Sequence, residues 1–248
     1  MAELLPPAKR SGLTFPGIVV ALDAEARNLI AGPMVSGKPI HLKEGPLLRI
    51  SGSGAVRAKL AAEFLVQKGA TSLVTWGSAG GLHMALSPGS LVIPEKILLP
   101  DNPGFAVDAA WHERLCYRLG KHLELHTQPL FQCPFVVTST SMKRSLFNEH
   151  GAIAVDMESA AVAEVAQRAQ VPFVAIRAIS DPADMVLPTC ALEAVDEHGR
   201  TRPLRLLRSL ARHPKEFPIL LLLRRNFTMA QNTLSSVWDL TDGKLLAP

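Results

Sequence analysis

The chain is predicted to be an α/β protein whose sheet carries a site at its strand ends. Two observations predict it. Short segments rich in Val, Ile and Leu alternate with stretches of helical periodicity, and several apolar segments stop at glycine-rich or acidic residues. Composition agrees: 48% of the 248 residues are hydrophobic and 19% charged, enough to bury a substantial core. Prolines (19) and glycines (17) are numerous enough to punctuate many short connections.

Residues 1–15 read as a flexible tail and residues 16–248 as one domain. Gly17–Leu22 (GIVVAL) reads as a buried strand ending at Asp23-Ala24-Glu25, with a helical stretch after it. A hairpin-like segment over Lys38–Gly45 leads into a strand at Pro46–Ile50. The turn Ser51–Gly54 opens a helix over Ala55–Lys68, with Val56, Leu60, Ala61, Phe64 and Leu65 at helical spacing and Gly69 as its stop. A strand at Ser72–Trp76 runs into a second glycine-rich turn, Gly77–Gly81. Leu91–Leu99 reads as a strand, 108–123 as a helix, and Phe135–Thr138 and Ala152–Val155 as strands. Met157–Ala169 reads as a helix. Pro172 marks the entry to Phe173–Ile179, a strand ending at Ser180-Asp181.

The strand ends carry the candidate chemistry. A GSAGG turn leaves backbone N–H groups exposed, so with the Ser78 hydroxyl it can hold an anion or a sugar oxygen; a tight structural turn is the equal alternative. Gly52 and Gly54 allow close approach to a helix N-terminus, which favours anions. Arg57 sits in the first turn of that helix, where a cation opposes the helix dipole. This points to an anionic partner, with a surface arginine as the competing reading. Asp156-Met157-Glu158 opens an alanine-rich helix. Its acids suit a first turn electrostatically, and Glu158 is also placed to accept two hydrogen bonds from a vicinal diol. Asp181 ends an apolar strand, where it can act as a general acid or as the N-cap of a helix after it. Glu25 is a third carboxylate at a strand exit. His122 and His126 have i,i+4 spacing around Glu124, but the segment looks peripheral and no metal site is expected.

The segments GIVVALDAEA, SGSGAVRA, VTWGSAGGL, VDMESAAVA and VAIRAISDPAD resemble, in order and approximate spacing, the purine nucleoside and uridine phosphorylase superfamily. The resemblance spans about residues 17–187 and is most specific at MES and AISD. It is closest in look to nucleosidases acting on methylthioadenosine and S-adenosylhomocysteine. It implies a three-layer fold with a central twisted mixed sheet flanked by helices. It also implies residue roles. Glu158 binds the ribose hydroxyls, Met157 packs on the sugar, and Asp181 protonates the leaving purine at N7. Ser78 and Gly80 lie in the loop contacting phosphate or catalytic water, and Glu25 helps to activate water. Met142 falls near the position where the nucleosidases stack an aromatic ring on the purine, a departure that weakens the case for methylthioadenosine as substrate. Protonating the base makes it a better leaving group by roughly 10²–10⁴-fold. No organic or redox cofactor is implied. Inorganic phosphate is expected as co-substrate, held by Arg57, with water as the alternative nucleophile.

The C-terminal part, 189–248, is basic and apolar. Arg200, Arg202, Arg205, Arg208, Arg212, Lys215, Arg224 and Arg225 are accompanied between the first and last of them by one acid, Glu216. Leu204, Leu207, Leu210 and Ala211 share a helical face, and Phe217–Leu223 adds an apolar run. Such a segment suits an anionic membrane surface, or equally a cover for the core or an oligomer interface. With SGxGxxRA and WGSAGGL, this extension resembles the hopanoid-associated phosphorylases. That resemblance implies adenosylhopane, a lipid-tailed adenine nucleoside, as substrate.

Other classes fit less well. A nucleoside-binding protein without catalysis would not need both Glu158 and Asp181. A nucleic-acid binder would need aromatics among its arginines, and the chain has one tyrosine. Cys116, Cys133 and Cys190 show no CxxC pairing and suit reduced thiols. Met1–Arg10 has no apolar core of a signal peptide, and no apolar run approaches the ~20 residues of a membrane span. The expected setting is therefore cytoplasmic, free or peripheral to the inner membrane, and a homo-oligomer is implied by the family.

Overall fold

The computed structural model describes residues 15–30, 39–42, 45–100, 102–194 and 202–248. Arg200 and residues 1–14 of the expected tail over 1–15 lie outside them. In chain order the elements are β1 (Pro16–Val20), α1 (Asp23–Ala26), β2 (Ile40–His41), β3 (Leu47–Ile50), α2 (Ala55–Gln67) and β4 (Ser72–Gly81). Then come β5 (Leu91–Val92), β6 (Lys96–Leu99), β7 (Asn102–Ala106), α3 (Ala109–Leu119), β8 (Leu125–His126) and β9 (Leu130–Gln132). The chain continues with α4 (Thr140–His150), β10 (Ala154–Asp156), α5 (Ser159–Ala169), β11 (Phe173–Asp181), α6 (Thr189–Ala194), α7 (Pro203–Arg212) and α8 (Phe217–Leu240).

The strands form one mixed sheet. Its main path runs β2-β3-β1-β4-β10-β9-β6-β7, and β11 lies beside β4 and leads through β5 to β8. The centre is parallel: β1 pairs β3 and β4, and β4 pairs β11. Strand β4 is long enough to serve two partners on one side. Its first half lies on β1, and Gly80 and Gly81 at its end pair antiparallel with β10. Side chains alternate across the sheet. Leu73, Phe173 and Ala175 face a core completed by α2 and α5, whereas Val74, Trp76, Val174 and Ile176 face one completed by α3 and the second half of α8. The three-layer mixed architecture expected from the resemblance is therefore present.

Several local expectations need correcting. Gly77–Gly81 is not a turn. It continues β4, held in register by Arg177, Ala178 and Ile179 of β11. Phe135–Thr138 is not a strand; the strand there is Leu130–Gln132, and the chain leaves it at Cys133-Pro134, where proline has no N–H to extend a ladder. Leu91–Leu99 is split into β5 and β6 around Pro94. In α2 the buried residues are Ala58, Ala61, Ala62 and Leu65, while Val56 and Leu60 point outward. Alanines let α2 lie close against the alanine-rich α5, so shape rather than bulk selects the inward face.

The sheet also buries a cation. Arg177, in the middle of β11, is only 2% exposed. Alternation turns it to the α5 side, where its guanidinium lies 2.6 Å from Asp156 Oδ2 and donates to Ser159 Oγ at 3.1 Å. Ser159 also hydrogen-bonds Asp156 Oδ2 and Thr75 Oγ1. A buried charge is tolerated only when it is paired and hydrogen-bonded. This network ties β11 and β4 to the start of α5.

Candidate active site

The site is assembled along the C-terminal half of β4. Ser78 donates from its backbone N–H (2.8 Å) and its hydroxyl (2.6 Å) to Glu25 Oε1, and the Leu22 N–H donates to Glu25 Oε2 at 3.1 Å. Glu25 reaches this position because the strand passes it at a glycine. Gly77 has φ of +150°, and a β-carbon there would lie 2.7 Å from the Glu25 carboxylate. The exposed N–H cradle expected of Gly77–Gly81 is thus corrected: the Ser78 donors are already engaged by a carboxylate.

The helix start at Gly54 behaves the same way. Its N–H donates to Glu158 Oε1 at 2.7 Å, so the anion at the α2 N-terminus is a side chain of the protein itself. Glu158 is free to cross over because Asp156 takes the local capping work, accepting from the Glu158 and Ser159 N–H groups at 3.4 and 3.3 Å. Arg57 stands one turn into α2, and its guanidinium donates to the Ser53 carbonyl at 3.5 Å. Met157 is half-buried beside Glu158.

Electrostatics follow from this crowding. Burial pushes the Glu25 carboxyl up, opposed by the charge of Arg177 and by the Ser78 and Leu22 hydrogen bonds. Glu158 is pushed from 4.5 up to about 7, first by burial and then by the neighbouring charge of Asp156, with Arg177 and the Gly54 N–H pulling down. One guanidinium thus faces three carboxylates.

Asp181 ends β11 opposite Gly80, where a β-carbon would come within 3.0 Å of Asp181 Oδ2. The Ser180 hydroxyl donates to Asp181 Oδ1 at 2.8 Å, and Lys143 from α4 donates to Oδ2 at 2.9 Å. No helix follows directly, so Asp181 is not a helix cap. Met142, next to Lys143, packs with Phe147 against Leu82, Phe131 and Val155. A cavity of about 450 Å³ opens beside these groups, lined by Leu82, His83, Thr140, Arg144, Phe147 and Asp184 among others.

The structure therefore places Glu25, Ser78 and Glu158 in one cluster, and Asp181 with Gly80 two residues further along β4. Arg57 lies near the Glu158 side. Sequence reasoning missed Arg177 and Lys143. Arg177 carried a signal, a lone charge inside VAIRAI; Lys143 sits in a polar helix and carried none.

Comparison with known proteins identifies the family. Residues 26–212 match the family described as the phosphorylase superfamily. The chain belongs to that superfamily. Among superfamily relatives, a 5′-methylthioadenosine/S-adenosylhomocysteine nucleosidase of Shewanella denitrificans is 30% identical over 188 residues, covering 67% of this chain and 81% of the relative. One from Buchnera aphidicola is 28% identical over 153 residues, covering 54% of this chain and 66% of the relative, a little under two thirds of its length. Solved superfamily folds superpose well. The nucleosidase of Neisseria meningitidis in complex with methylthio-immucillin-A gives a TM-score of 0.68 at 20% identity, covering 93% of this chain and 99% of that one. Futalosine hydrolase of Helicobacter pylori gives 0.65 at 20% identity, covering 92% and 98%.

The pH dependence of stability tests the Glu158 environment. A carboxyl whose folded pKa lies above its unfolded value binds more protons when folded. It therefore leaves stability untouched below about 4.5 and lowers it as pH rises to about 7. Glu158→Gln removes that penalty. Urea unfolding should show the variant gaining on wild type at pH 8 by up to about 3 kcal/mol, with little gain at pH 4.5. A gain independent of pH would mean that Glu158 titrates normally.

Proposed function

We propose that the chain cleaves the N-glycosidic bond of an adenine nucleoside. Asp181 delivers a proton to purine N7, Glu158 accepts hydrogen bonds from the ribose diol, and Met157 packs on the sugar. The observation that carries the proposal is the array of three buried carboxylates, Glu25, Glu158 and Asp181, along one strand end. The names of the relatives support the substrate class. Glycosidic cleavage develops positive charge on the sugar, which buried anions stabilise. Met142 contributes a thioether rather than an aromatic face to the purine side. The chemistry needs no cofactor.

Water is the nucleophile that the arrangement favours. The donors that would greet a phosphate, the Gly54 N–H and the Ser78 N–H and hydroxyl, are bonded to Glu158 and Glu25. Glu25 is placed to take a proton from water. Phosphorolysis is the second reading, favoured by Arg57 beside Gly54, with phosphate displacing Glu158 from the helix start. Asp181→Asn should lower adenine release from adenosine, per folded enzyme, by roughly 10²–10⁴-fold, and the melting temperature should fall because the buried Lys143 loses its ion-pair partner. Wild type should release adenine in phosphate-free buffer and yield the free sugar. Near-normal turnover by the variant would remove Asp181 from the mechanism, and sugar 1-phosphate formed only with phosphate present would restore the phosphorolytic reading.

The preferred substrate carries an apolar 5′ group, adenosylhopane in hopanoid biosynthesis, reached by a cytoplasmic protein in peripheral contact with the inner membrane. In this reading residues 16–248 act as one domain, and outward Val56 and Leu60 offer apolar surface to a second copy. Helix α7 supports the membrane part. Leu204 and Leu207 are 72% and 62% exposed, and Phe217, Leu221 and Leu222 at the start of α8 also face outward. Arg205, Arg208 and Arg212 are exposed around them. No helix among the described residues is long and apolar enough to cross a membrane, so contact is interfacial. Each basic residue near an anionic bilayer contributes about 1 kcal/mol before screening. The protein should sediment with anionic liposomes, less so as salt rises, and less so when Leu204 and Leu207 become Ser. A protein that stays in the supernatant at low salt would rule out the membrane role.

A further inference from the structure

Lys143 is fully buried, and its ammonium group is surrounded by oxygen. It lies 2.9 Å from Asp181 Oδ2, 3.0 Å from the Asp181 carbonyl, 2.8 Å from the Pro182 carbonyl and 3.2 Å from the Met185 carbonyl. Ser180 donates to the other Asp181 oxygen. Both carboxylate oxygens thus accept hydrogen bonds, one from a cation. A carboxyl held in this way is an acceptor at both oxygens. Departure of a purine nevertheless requires a proton. The three carbonyls make Lys143 a clamp on the chain after β11, a task that neutral donors also perform. A buried cation against the acid itself is not needed for clamping, and it is costly to bury unless paired.

We propose that Lys143 is the source of the proton that Asp181 passes to the base. The inference rests on the reading of Asp181 as the N7 donor. As the C1′–N9 bond breaks, its electron pair goes to the purine. A proton passes through the Asp181 carboxyl to N7, and Lys143 Nζ gives up a proton to Asp181 Oδ2. The pair ends as a neutral amine beside a carboxylate. Water adds its oxygen to C1′ and its proton goes to Glu25. When products leave, Glu25 returns a proton to solvent and Lys143 takes one back. Lys143 touches only Asp181 and the neighbouring backbone, so it acts through Asp181.

Two probes separate this role from clamping. Adenosine needs its base protonated, whereas 4-nitrophenyl β-riboside loses a stable phenolate without help. Lys143→Met should lower adenosine turnover by roughly 10²–10⁴-fold and nitrophenyl riboside turnover by less than about tenfold. Lys143→Gln, which keeps a donor for the carbonyls and has no ionisable proton, should behave alike and serves if the Met variant fails to fold. Wild type should lose adenosine turnover at alkaline pH without a matching loss on the nitrophenyl riboside. Equal losses on both probes in the variants, or no alkaline selectivity in wild type, would leave Lys143 a clamp and overturn the proposal. Asp181→Asn distinguishes the underlying reading: selective loss there with equal losses in the Lys143 variants sinks only the Lys143 role, and equal losses in Asp181→Asn sink both.

Discussion

The buried guanidinium of Arg177 is the constraint on which the rest of the site depends. It projects from the middle of the sheet into a region where Asp156, Glu25 and Glu158 converge, and its 2.6 Å contact goes to Asp156. Asp156 is thereby committed to the ion pair and to the start of α5. One positive charge opposes three carboxyls there, so the other two are under-neutralised. Burial then pushes both upward, Glu158 to about 7. Burial thus raises the affinity of both carboxyls for a proton, the direction that suits a group taking a proton from water.

Glycine makes the crowding sterically possible. Strand β4 passes two carboxylates at close range, Glu25 at Gly77 and Asp181 at Gly80. A side chain at either position would occupy the space of the acid. The same strand pairs with β1, β10 and β11, so each functional group is anchored to a neighbour of β4. Ser78 holds Glu25 and Ser180 holds Asp181, each from a strand of the sheet.

Much of this was legible in the sequence. Apolar segments ending in acidic or glycine residues located the strand ends, and the MES and AISD segments located Glu158 and Asp181. The partner of each group could not be read. GSAGG carries the composition of a turn, and only its pairing with β11 keeps it a strand. Gly54 marks an anion-binding helix start, yet the anion comes from Glu158, 104 residues away. Val56 and Leu60 share the helical spacing of Ala61 and Leu65 yet point outward, because periodicity does not tell which face is inward; the alanines of α2 and α5 decide that by their fit. Lys143 meets Asp181 only through the tertiary fold, so a local reading leaves it as one more surface lysine.

A carbon-13 NMR titration of the glutamate carboxyls in the full chain, with Glu158 and Glu25 assigned by their Gln variants, reads the charge balance around Arg177 directly. Glu158 should titrate near 7, and Glu25 should also lie above the ordinary carboxylate range. Both resonances titrating near 4.5 would mean that Arg177 neutralises the cluster fully and that burial shifts neither acid.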